Sequence, residues 1–147
     1  MAEMFLLVHS MNFQELAQGG SVLPSNSNKQ FSVLGVLGAL TLEFIPGQFS
    51  FSVVVGVRGE DFSKGHTVRI TFGEAVDEKD PIVDSGEISI SPKKENNNSQ
   101  APFMIMGAQL ANVIFKNSGE YRTRVFWDGQ LLGNAKIPVV QRHAETD

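Results

Sequence analysis

The chain has 147 residues, a formal net charge of −4 and no cysteine. Its length suits one domain with a core large enough to stand without staples. The missing cysteine excludes disulfides, thiolate nucleophiles and Cys-ligated zinc, and the 12 scattered Lys and Arg exclude the basic patch of a nucleic-acid binder.

The first predicted element is a strand in "MFLLVHS", with Met4, Leu6 and Val8 facing inward. Its apolar run, 4–8, is too short for a signal-peptide core or a membrane helix, so a cytoplasmic protein without membrane association is expected. "NFQELAQGG" predicts one turn of helix ending at Gly19 and Gly20, followed by the loop "GGSVLPSNSNKQ". "KQFSVLGVLGALTLEF" predicts one or two strands bent at Gly35 and Gly38.

The clearest strand is "FSFSVVVGV". Phe49, Phe51, Val53, Val55 and Val57 share one face, and smaller groups mostly fill the other. After the hairpin-like loop "RGEDFSKG" comes "HTVRITFGE", with Val68, Ile70 and Phe72 inward. "EISIS" adds a short strand with Ile88 and Ile90 inward, and "ANVIFKN" another with Val113 and Phe115 inward. Between them "SPKKENNNSQAP" reads as a disordered polar loop over 91–102.

In "GEYRTRVFWDGQ", Tyr121, Thr123, Val125 and Trp127 share a face, with Arg122, Arg124 and Phe126 opposite. Asp128-Gly129 suits a type I′ turn, in which both central residues take positive φ. The return strand holds Ala135, Ile137 and Val139 inward after a bulge at Gly133-Asn134. Pro138, which cannot donate to a ladder, places that strand at a sheet edge or ends it there. Tyr121 and Trp127 are therefore read as core anchors in preference to a platform for a sugar or base, and Arg122 and Arg124 as a solvated face.

Together these elements predict an all-β fold: a single antiparallel β-sandwich, immunoglobulin-like or similar, of seven or eight short strands. One domain spans 1–147, with an ordered core over 4–140 and a flexible tail over 141–147. The expected core comprises Phe49, Phe51, Val53, Val55, Val68, Ile70, Phe72, Tyr121, Val125, Trp127 and Ile137.

The order of "KQFSVLG", the strand after a Pro-Gly corner, "HTVRITFGEA" and the closing "GEYRTRVFWDGQ" hairpin with its Asp-Gly turn resembles a family of small bacterial proteins classed only as a domain of unknown function. The resemblance spans most of 4–140. It implies a β-sandwich and brings no catalytic residues. "EFIPGQF" and "KKENNNSQ" are additions to the family pattern.

Chemistry is hard to find in the pattern. His9, His66 and His143 fall in separate elements without zinc-site spacing, and there is no Gly-x-Ser-x-Gly elbow. The acidic segment over 74–87 offers Asp77, Asp80 and Asp84 as weak candidate calcium ligands, although Lys79 interrupts it and a solvated loop is the preferred reading. The expectation is a non-catalytic interaction or structural domain with no cofactor and with a protein partner or self-association. The alternative is a small-ligand module for calcium or carbohydrate on the acidic loop.

Overall fold

A computed structural model describes residues 2–16, 30–76, 79–92 and 103–142 of the protein. Within them the chain forms strands and turns and no helix. The strands are β1 (Glu3–Leu16), β2 (Gln30–Val36), β3 (Leu40–Leu42), β4 (Gly47–Arg58), β5 (His66–Glu74), β6 (Val83–Asp84), β7 (Ile88–Ile90), β8 (Phe103–Phe115), β9 (Gly119–Trp127) and β10 (Gln130–Gln141). The first sheet has the order β2-β1-β4-β8. The second has the order β3-β10-β9-β5-β6, with β7 also on β5. Every pairing is antiparallel except the parallel pairing of β3 with β10.

The two sheets close on alternate side chains, as period-two patterning requires. Phe51, Val53, Val55 and Val57 of β4 meet Val68, Ile70 and Phe72 of β5, Tyr121, Val125 and Trp127 of β9, and Ile137 and Val139 of β10. Phe49 is half-buried and packs on the margin of this cluster. At its centre Phe72 lies 5.1 Å from Phe51, 5.6 Å from Tyr121 and 5.9 Å from Phe115 between ring centroids. Such aromatic pairs add about 0.5–1.5 kcal/mol each beyond their buried area.

The topology is that of an immunoglobulin-type sandwich. β1, β4 and β8 stand where that fold has strands A, B and E, and β5, β9 and β10 where it has C, F and G. The Tyr121 hydroxyl donates to the Asn117 carbonyl at 2.7 Å, near the start of β9, which is the position and contact of a tyrosine corner. Without cysteine, the stacked aromatics occupy the region that a B–F disulfide crosses in antibody domains. No described strand lies beyond β8, on the side where an A-B-E-D sheet carries strand D.

Several local expectations change. Among the described residues the strand count is ten, because β3 and β6 have three and two residues, too few to show a period. Asn12 to Leu16 continue β1 instead of turning into helix, since pairing with β2 satisfies their backbone. A register shift between Met4 and Leu6 resets the alternation of β1. Leu7 and His9 therefore pair beside core residues Val55 and Val53, while Leu6 and Val8 pair with outward Gly56 and Val54. β2 and β3 belong to different sheets; Gly35, near the end of β2, has φ +67°, and Gly38 lies between the two strands.

Ile88 is exposed and Ile90 only half-buried, because β7 sits at the rim of its sheet beyond the cover of the other. The bulge of β10 falls between Leu131 and Gly133, just before the expected site. β10 is flanked by β9 and β3, although β3 covers only Val139 to Gln141, immediately after Pro138. The strand runs on through Gln141, one residue into the expected tail. The helical turn's Gly19 and Gly20, most of the polar loop over 91–102 and the end of the tail lie outside the described residues.

Candidate functional site

The side chains best suited to chemistry meet at the β9–β10 turn. Asp128 and Gly129 take φ of +48° and +83°, the handedness a type I′ turn demands. That turn aims the Asp128 carboxylate back at β5. One oxygen accepts the Thr67 N–H at 2.9 Å, and the other lies 2.8 Å from His66 Nδ1. His66 Nε2 lies 2.8 Å from the Asp61 carbonyl, and the ring stacks on Trp127 with centroids 4.9 Å apart.

Both ring nitrogens of His66 face acceptors, so the imidazolium satisfies both at once. Burial opposes its charge, but the hydrogen bonds to Asp128 and the Asp61 carbonyl, with the nearby carboxylates, outweigh burial and raise its pKa above 6.5. The His66 hydrogen bond and then the Thr67 N–H hold Asp128 below the usual carboxylate range. A catalytic His–Asp pair needs its second nitrogen open to a nucleophile. Here a carbonyl takes it, and the Ser63 hydroxyl is committed to the Asp61 carboxylate. The cluster is a clip joining the β4–β5 loop, β5 and the β9–β10 turn.

His9 is spent differently. It lies in the interior, 4% exposed, with Nε2 2.7 Å from Thr123 Oγ1 across the two sheets. Burial pushes its pKa down to about 4, so it is neutral at neutral pH. His143 lies outside the described residues.

Among the candidate calcium ligands, Asp77 lies outside the described residues and Asp80 is exposed. Asp84 is held by the Arg69 guanidinium through both oxygens and also accepts the Gly86 N–H at 2.9 Å. Arg69 first and that N–H second lower its pKa to about 2. Among the described residues no group of three or more His, Asp or Glu converges as a metal site would require. Arg69 also lies over the Phe126 ring, 5.6 Å from its centroid.

The arginine face differs from expectation. Arg124 is buried and Arg122 half-buried. Pro81 and Ile82 crowd against Gly73, the β5 partner of Arg122, so the segment after β5 covers part of this face. Tyr121 and Trp127 are buried in the core, with their rings packed against Phe72, Phe115, Phe62 and His66.

The remaining feature is the first sheet's outer face and its open edge. Cross-strand rows there read Leu6–Gly56–Ile105 and Val8–Val54–Gly107, apolar throughout. Phe5 lies over Gly56 and meets Phe103 edge-to-face at 5.8 Å, while Arg58 sits 5.7 Å from the Phe5 centroid and pairs with Glu3. Phe13 lies over Gly107, so Val54 is fully buried although it points away from the core. Phe5 and Phe103 stay 38% and 39% exposed.

β8 bounds this face. All 13 of its residues, FMIMGAQLANVIF, are uncharged and none is Pro. Most other open edges carry protections against strand pairing, although β2, at the far edge of the same sheet, is also free of charge and of Pro and has only its bend at Gly35. β6 and β7 are two or three residues long, and the open part of β10 has a bulge, Lys136 and Pro138. β8 has only an irregularity after Leu110, where Asn112 takes φ +54°. Sequence alternation missed the first half of β8 because both of its faces are apolar. Its uncharged length was the available signal.

A family model described as a family of unknown function (DUF6941) matches residues 21–140. No curated protein matches the chain. Among solved structures, a β-glucosidase from Listeria innocua is similar at 11% identity and a TM-score of 0.45, over 70% of this chain and 14% of that one. The same enzyme in complex with isofagomine gives 11% and 0.43, over 71% and 15%. The chain thus spans about one seventh of those proteins. An immunoglobulin-like protein from Pseudomonas aeruginosa is similar at 14% identity and a TM-score of 0.37, over 95% of this chain and 96% of that one.

Proposed function

We propose, for a chain that belongs to the DUF6941 family of unknown function, a non-catalytic interaction domain whose contact element is the open β8 edge with its aromatic margin. The observation that carries this reading is an uncharged strand edge that no strand among the described residues covers, beside exposed Phe5 and Phe103. Unpaired N–H and C=O groups along such an edge bind extended backbone, and exposed aromatics beside it add apolar area. The reactive side chains support the same reading from the other direction. His66 has both nitrogens occupied, His9 is in the interior, and Asp84 is engaged by Arg69. None is left holding a nucleophile or an acid–base partner in an open cleft.

The test is site-specific photocrosslinking in the producing cells, with benzoylphenylalanine replacing Phe103 or, as a control, exposed Leu131 on β10. Protein adducts from position 103 and few from position 131 are the expected result. Equal labelling, or no adduct from position 103, overturns the reading.

A further inference from the structure

Resting on that reading, we infer that the partner of β8 is β8 of a second copy, paired antiparallel about a two-fold axis. A strand that pairs with itself this way makes a closed, isologous contact. Each residue must then face one on the same side of the sheet, so the axis passes through a residue position.

The regular part of β8 is its first half, where register with β4 runs unbroken from Phe103 to Leu110. An axis at Gly107 uses nearly all of it. Met104 then faces the partner's Leu110, Ile105 the partner's Gln109, and Met106 the partner's Ala108. Large residues meet small or flexible ones, no charge opposes its own copy, and glycine stands where the two chains cross. Phe13 already lies over Gly107 on the outer face, where the glycine itself is exposed.

Pairing turns two four-stranded sheets into one of eight and merges the two apolar outer faces. It also fills the place beside β8 that strand D takes in the related sandwich architecture.

Sedimentation velocity over a wide concentration range reads this directly. The protein is expected to pass from monomer to dimer. Gln109→Lys puts a charge on the exposed edge and should weaken the dimer about tenfold or more, without lowering the thermal midpoint measured at monomeric concentrations. Leu131→Lys, on the protected edge of β10, should leave the dimer unchanged.

Gln109→Cys supplies the sole cysteine for a spin label. Two labels astride an axis at Gly107 should lie about 14 Å apart along the strands, from four residues at roughly 3.4 Å each. A chain that stays monomeric throughout, a dimer indifferent to Gln109→Lys, or labels several nanometres apart overturns the inference. Adducts of position 103 with a different protein, from a chain monomeric alone, sink self-pairing and leave the interaction reading standing. No adducts at all sink both.

Discussion

His9 Nε2 and Thr123 Oγ1 lie 2.7 Å apart in the interior, one on β1 and the other on β9, so a single side-chain hydrogen bond ties the two sheets together. The pair has a pH signature. His9 titrates near 4 when folded and near 6.5 when unfolded, so between these values the unfolded chain binds more protons. Stability from a neutral His9 is complete above 6.5 and lost as pH falls toward 4, by about 3 kcal/mol. Urea unfolding at several pH values should show this slope, and His9→Leu combined with Thr123→Val should remove it.

His66 runs the opposite way. Its folded pKa lies above the unfolded value of 6.5, so its contribution is full below 6.5 and fades as pH rises through the folded pKa. Asp128→Asn removes the charge that helps hold it there. The His66 ring protons, followed by NMR, should then titrate at lower pH than in the parent. An unchanged midpoint would show that the clip does not set the charge of His66.

Calcium should leave the thermal midpoint where it is. Asp84 already satisfies Arg69 and the Gly86 N–H, and a ligand that binds only the folded state must raise stability. A midpoint that climbs with millimolar calcium would restore the ligand-module reading. Arg69→Ala should change the unfolding midpoint little, because the ion pair is substantially solvent-exposed.

Tyr121→Phe keeps the ring stack and removes only the donor to the Asn117 carbonyl. The expected loss is about 1 kcal/mol in chemical denaturation. Gly47→Ala should cost more, about 1–3 kcal/mol, because a methyl group there would run into the Phe44 backbone carbonyl at the corner leading into β4.

The sandwich is legible wherever one face of a strand is apolar and the other is not. In β5, Val68, Ile70 and Phe72 alternate with Thr67, Arg69 and Thr71, and in β9 Tyr121 and Val125 alternate with Arg122 and Arg124. Each such run states its register outright, because a slip of one residue would turn every side chain over. The pattern fails where both faces carry apolar groups, as in Phe103 to Leu110, and where a bulge shifts the phase, as between Met4 and Leu6. The clip was illegible for another reason. His66 and Asp128 are 62 residues apart in sequence, and only the β5–β9 register sets them side by side. Asp128 read as a turn residue, and turn geometry alone says nothing of the imidazole it reaches.

The parallel pairing of β3 with β10 sets Leu40 beside Val139. The earlier stretch must wait for a much later one before it has a strand to pair with, so among the described pairings that seam is knitted late. Such long-range closure belongs to the slow class of folders, with lifetimes of about milliseconds to seconds. Until then the backbone of β3 has only solvent to bond with.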